Sequence, residues 1–182
     1  MKISTKILFL TVLCLTFACS KESVRTKFST QETGIETYLK NQLSSRPDAF
    51  VVRRGGVQRL VLTEGSGDSL RANGNIAFEW AGYVMNGSSF SNSSLFGTNS
   101  KEIATSAGWT LSDSTIYRIE MLNLGEADLV PGLKSGLQGV KGGEECVILF
   151  SGEYGFGDKS FGTIPANAAL AYHIWVESIS NE

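Results

Sequence analysis

His173 is the chain's sole histidine, and its three cysteines, Cys14, Cys19 and Cys146, are scattered rather than paired. One imidazole cannot build a His-rich metal site, and any His-dependent nucleophile would have to use that one ring. The acidic residues fall at no metal-ligand spacing, and no Gly-rich loop precedes a Lys-Ser/Thr pair. Asn86-Gly87-Ser88 and Asn92-Ser93-Ser94 match glycosylation sequons and carry no catalytic chemistry. Sixteen basic residues against eighteen acidic ones give a net charge of −2, so nothing electrostatic calls for nucleic acid. The reactive inventory therefore points to a protein that works without a nucleophile, metal or cofactor.

Gly67-Asp68-Ser69-Leu70 matches a tetrapeptide found in one group of serine hydrolases. Such a site would want an Asp three places before its histidine, where this chain has Leu170. A plain turn accounts better for that segment. His173 alternates out of phase with Leu170, Tyr172, Ile174 and Val176, which predicts that it faces solvent.

These residues need elements to hold them. With 182 residues, 42% hydrophobic and 19% charged, the chain has the composition of one globular domain with tail to spare. Met1 to Lys6 is a short basic start, and Ile7 to Ala18 is an almost unbroken apolar run. That run is too short to span a bilayer but fits a signal-peptide core. Leu15-Thr16-Phe17-Ala18-Cys19 resembles a bacterial lipobox, with Thr16 where Leu is usual and Cys19 as the lipidated residue; ordinary secretory cleavage nearby is the alternative. Residues 1–18 are thus read as signal peptide and 19–30 as a lipid-anchored tether. Cleavage there leaves Cys146 without a disulfide partner, and its strand-like setting predicts a buried small hydrophobe.

Ser29 and Glu32 form a possible capping box, and Ile35, Tyr38, Leu39 and Leu43 share a helical face, predicting a helix over 31–43. Two strands, 49–53 and 57–63, flank the hairpin signal Gly55-Gly56. Residues 31–55 therefore form an N-terminal helix and hairpin strand, and 56–182 a larger domain. Further strands are predicted at 75–84, 116–122, 145–150 and 169–179. Pro131, then Leu133, Leu137 and Val140, then Gly142-Gly143 give a helix its start, face and stop. Residues 92–115 are Ser/Thr/Asn-rich, with a small helix at 101–107, and read as a candidate functional loop.

The blocks Leu124-Gly125, Leu129 to Leu133, Gly136 to Glu144, Tyr154-Gly155-Phe156-Gly157 and Gly162 to Ala168 occur in that order. Upstream stand Gly65-Ser66-Gly67, Trp80-Ala81-Gly82-Tyr83 and Gly87-Ser88-Ser89-Phe90. Together they resemble the FK506-binding-protein family of peptidyl-prolyl isomerases over about residues 56–179. The resemblance implies an α+β fold: an antiparallel half-barrel sheet wrapped around one short helix, here with an extra N-terminal helix.

The implied activity explains the missing reactive groups. Amide resonance opposes rotation with a barrier of about 18–20 kcal/mol, and uncatalysed Xaa-Pro exchange takes roughly tens to hundreds of seconds. The planar amide is more polar than its twisted form, so an apolar cleft that removes its hydration favours the transition state. The resemblance implies catalytic roles for Phe90 as an aromatic wall, Val130 through its backbone N–H, Phe156 and Tyr172. It implies substrate-binding roles for Trp80, Ser91, Leu129, Leu133, Tyr154 and Ile164. Several positions depart from the family pattern. Trp80 replaces Tyr, Leu133 replaces a floor Trp, Phe156 replaces a Tyr that bonds substrate, Ser91 replaces Asp, and Tyr172 replaces Phe. A further aromatic is expected near Glu120. No cofactor is implied. The implied partners are proline-containing unfolded or exported proteins and, through Cys19, the membrane of a cell envelope. A catalytically weak or inactive binding module, or a purely structural lipoprotein, are the other readings.

Overall fold

The computed structural model describes residues 5–111 and 116–182, with side chains described from Glu22 onward. The lipobox and its Cys19 lie outside the residues so described. The chain forms helix α1 (Thr5–Ser45) and strands β1 (Phe50–Arg54), β2 (Val57–Thr63), β3 (Ser66–Ser69), β4 (Asn75–Val84) and β5 (Leu95–Thr98). Then come α2 (Lys101–Ser106), β6 (Glu120–Asn123), α3 (Pro131–Leu137), β7 (Lys141–Gly142), β8 (Glu145–Phe150) and β9 (Leu170–Ser180). The main sheet runs β1-β2-β8-β9-β4-β5, with β6 also on β4, and β3 pairs separately with β7. All of its pairings are antiparallel. This is the α+β, FK506-binding-protein-like half-barrel, with its extra N-terminal helix.

In β8, five consecutive residues from Cys146 to Phe150 are buried. A strand apolar on both faces must be covered on both. Its Cys146, Ile148 and Phe150 join Tyr172 and Ile174 of β9 in a concave core that wraps α3. Val147 and Leu149 join Ala169 and Ala171 in a convex core covered by Ile35 and Leu39 of α1. That second layer corrects the reading of His173. It is half-buried on the convex face, with Nε2 2.8 Å from Glu145 Oε1 and its ring stacked 3.9 Å from Trp175. Burial lowers its pKa, and Glu145 opposes the shift.

Helix α1 does not begin at a cap near residue 30. Ser29 lies inside it, its carbonyl accepting from Thr33 Oγ1, and the helix stops before Pro47, which cannot continue it. Gln31 docks the helix by donating through Nε2 to Asn167 O at 2.8 Å and accepting from Gly152 N at 2.9 Å.

Helix α3 approaches β8 through Gly132 and Gly136, one turn apart. A Cβ on Gly136 would fall 2.2 Å from Ile148 Cγ2, and one on Gly132 2.4 Å from the Phe150 ring. The helix ends at Leu137, so Val140 is buried beyond it rather than on its face. Its carboxyl end is held by Arg59, whose guanidinium donates to Gly136 O (3.0 Å), Gln138 O (2.9 Å) and Gly139 O (3.2 Å). Arg59 Nε also lies 3.3 Å from Glu144 Oε1. Burial pushes the Glu144 carboxyl pKa up, and Arg59 pulls it back only in part.

Three further expectations change. The Gly67-Asp68-Ser69 part of the expected turn belongs to strand β3, which ends just before Leu70. The expected loop at 92–115 carries strand β5 besides the small helix expected there, which is α2, and its residues 112–115 lie outside the described set. The strand expected at 116–122 begins only at Glu120.

Candidate active-site cleft

Strand β4 meets β6 over residues 75–78 and β5 over 81–83, leaving a gap at Glu79 and Trp80. Asn99 bridges it. Its Oδ1 accepts from Trp80 N at 2.7 Å, and its Nδ2 donates to Phe78 O (3.1 Å) and Arg118 O (2.9 Å). Thr98 Oγ1 adds a 2.6 Å bond to Trp80 O. These bonds fix the backbone that presents Phe78 and Trp80, at i and i+2, to the concave face.

There the concave core opens into a cleft of about 540 Å³. Trp80, Leu129, Val130, Leu133, Phe156 and Tyr172 line it together. Tyr172 sits at the centre of an aromatic group, its ring centroid 6.0 Å from Trp80, 5.5 Å from Phe96 edge-on, and 5.9 Å from Phe150. Val130 precedes Pro131 at the start of α3, and its N–H donates to no group among the described residues. Leu133 follows on the first turn. Glycines at 132 and 136 let α3 sit close against β8, which brings these residues to the cleft.

Four expected residues stand elsewhere. Phe90 packs on the convex side, its ring 5.2 Å from Tyr38 of α1 and 4.9 Å from Tyr83. Ser91 goes with it, its hydroxyl 2.9 Å from that of Ser93. The aromatic that the hairpin contributes to the concave face is instead Phe96, directly against Tyr172. Tyr154 turns its hydroxyl toward Gly56 at the β1–β2 turn. Ile164 is a core residue, pinned through two backbone bonds to Phe161, whose ring stacks on Phe156 at 5.1 Å.

Phe78, Leu122, Pro131, Glu120 and Asp128 also line the cleft. The same-face spacing of Phe78 with Trp80, and of Glu120 with Leu122, is the signal that could have found three of them. Glu120 occupies the wall where an aromatic was expected. Neither it nor Asp128 makes an ion pair or side-chain hydrogen bond among the described residues. The side chains of the wall are thus apolar apart from two carboxylates, the Tyr172 hydroxyl and the Trp80 indole N–H. Burial raises the Tyr172 pKa well beyond its ordinary value, so it keeps its proton at neutral pH. The described residues hold no cluster of His, Cys, Asp and Glu fit for a metal ion. A larger hollow of about 870 Å³, between β3, β7 and the end of β9, has no aromatic wall.

The chain was compared with known proteins. A family model described as FKBP-type peptidyl-prolyl cis-trans isomerase matches residues 69–177, which contain the whole cleft. FK506-binding protein 1 of Gibberella zeae is 26% identical over 125 residues, 68% of this chain and 98% of the relative. That of Aspergillus oryzae is 24% identical over 119 residues, 65% and 94%. Among solved structures, the three FKBP domains of wheat FKBP73 align with a TM-score of 0.57 at 16% identity, covering 72% of this chain and 51% of that one. FkpA from Escherichia coli aligns at 0.55 with 14% identity, covering 98% and 74%.

Proposed function

Because the chain belongs to the FKBP-type peptidyl-prolyl cis-trans isomerase family, we propose that its cleft catalyses rotation about Xaa-Pro bonds in exported proteins. The observation that carries this reading is a Val130 N–H, without a partner among the described residues, in the lining of an apolar, aromatic-walled cleft. A proline ring entering against Leu133 and Trp80 leaves its imide bond in surroundings that cannot hydrate it. Loss of hydration destabilises the planar, more polar amide relative to the twisted one, and the Val130 N–H holds a neighbouring carbonyl while the bond turns. Each tenfold of rate requires about 1.4 kcal/mol of preference for the twisted form. No proton transfer and no covalent intermediate is involved, which suits a chain whose single histidine sits on the opposite face of β9 from the cleft.

The floor residue Leu133 and the hydroxyl-free Phe156 favour a second reading, a weakly catalytic module that mainly binds unfolded segments. A protease-free isomerisation assay on Xaa-Pro peptides separates the two. Acceleration over background for several Xaa supports the isomerase, and peptide binding without acceleration supports the module.

The apolar run before Cys19 supports a further part of the proposal. Cys19 is lipidated and anchors the protein to a membrane of the cell envelope, where exported chains fold. The Cys19→Ala variant should leave the membrane fraction, and its retention there would contradict the anchor.

A further inference from the structure

Tyr172 is only 5% exposed, yet its hydroxyl makes no hydrogen bond among the described residues and stands in the wall of the cleft. Unlike the enclosed Ser151 hydroxyl, it keeps contact with solvent, so it is available to donate to an entering peptide. Glu120 and Asp128 lie on the same cleft, both solvent-exposed and neither with an ion-pair or side-chain hydrogen-bond partner among the described residues. No basic residue lines it. Lys134 of α3 commits its ammonium to Gly125 O and Ala127 O, and no ion pair joins Arg118 to either carboxylate.

We propose that the cleft selects proline segments flanked by lysine or arginine, Glu120 and Asp128 receiving the cation while the Tyr172 hydroxyl donates to a peptide carbonyl. This rests on the isomerase reading and adds a substrate class to it. The two carboxylates sit at the open side, where a long basic side chain can lay its methylenes along Leu122 and keep its charge in water. An acidic flank meets two like charges and no compensating cation. Solvent-exposed pairs are weak individually, so the selectivity is about three- to tenfold rather than absolute. It also fades in high salt. The hydroxyl contributes alike to every sequence, because every peptide has a carbonyl.

The test is protease-free isomerisation by the full chain, on two peptide series with Lys, Leu or Glu immediately before or immediately after proline. In at least one series kcat/KM should be about three- to tenfold higher for Lys than for Glu. The ratio should shrink toward one in 0.5 M salt (roughly a 4 Å screening length) and in the Glu120→Gln/Asp128→Asn double variant. Tyr172→Phe should lower kcat/KM for all peptides by a common factor, with the urea midpoint retained and the Lys/Glu ratio preserved. A ratio near one in both series overturns the charge selection, as does a ratio that the double variant leaves intact. An unchanged rate in Tyr172→Phe overturns the hydroxyl's part. If no peptide is turned over, the isomerase reading itself fails. Fluorescence anisotropy with the same peptides, labelled, then decides the charge preference: tighter binding of Lys than Glu peptides sustains it, and equal binding refutes it.

Discussion

Replacing Arg59 with Met should cost about 4 kcal/mol at pH 7.5, and the cost should shrink in acid. Arg59 and Glu144 are 6% and 3% exposed, with Nε and Oε1 3.3 Å apart. Removing one member of a buried pair leaves an uncompensated charge, typically about 3–5 kcal/mol. Of the three carbonyls that Arg59 serves, the bond to Gly136 O is buried, and the other two are close enough to water to find new partners. The charge on Glu144 therefore dominates. Its folded pKa is already raised by burial, so the native state binds a proton more readily than the unfolded chain does. Such a group lowers stability as pH rises from its unfolded value toward its folded one. Without Arg59 the folded value climbs further. The added penalty is complete above that value and vanishes below about 4.5, where Glu144 is protonated in both states. A loss of this size is a large part of a typical stability of about 5–15 kcal/mol. Urea unfolding followed by fluorescence of Trp80, Trp109 and Trp175 measures it at pH 7.5 and pH 5. Glu144→Gln in the same chain should restore more than half of the loss. A cost below about 1 kcal/mol at pH 7.5, or one independent of pH and of Glu144, would refute the reasoning.

Four other outcomes follow from the same geometry. Gly136→Ala should lower stability by about 2 kcal/mol, because overpacking against Ile148 exceeds the helix-propensity gain; a raised urea midpoint would contradict that packing. Phe96→Ala should cut isomerisation at least tenfold, whereas Phe90→Ala should mainly lower stability by loosening α1; the reverse pattern would restore Phe90 to the cleft. Val130→Asp should abolish activity while far-ultraviolet circular dichroism stays unchanged, and retained activity would remove Val130 from the site. Burial holds the His173 pKa below 6.5, so its neutral ring adds stability above that pH, lost as pH falls through the lowered value. His173→Gln should flatten the stability profile just below pH 6.5, and an unaltered slope would show that another group sets it.

The concave half of the molecule was readable in the chain. Pro131 followed by a Leu-spaced turn marks α3, the apolar run at 145–150 marks β8, and the alternation of Leu170, Tyr172, Ile174 and Val176 marks one face of β9. The convex half was less so, since alternation shows that two faces differ but not that a helix covers the second. His173 was misread for that reason. Phe90 was misplaced by turn chemistry. A small loop closes where Asn86 bridges Ser89, and a 3-10 turn at Asn92–Ser94 follows, so the strand that pairs with β4 starts only at Leu95. The aromatic that reaches the concave side is thus six residues later than its Ser-Ser-Phe context suggests. Asp128 had no periodic signal, because it lies in the irregular segment leading into α3.

The account turns on whether the apolar cleft accelerates Xaa-Pro rotation. The direct measurement is the protease-free rate constant for an Ala-Leu-Pro-Phe type peptide as a function of protein concentration. The account predicts a linear rise above the uncatalysed rate, lost in Val130→Asp. A rate that stays at background up to the highest soluble concentration, with the urea transition intact, would contradict it.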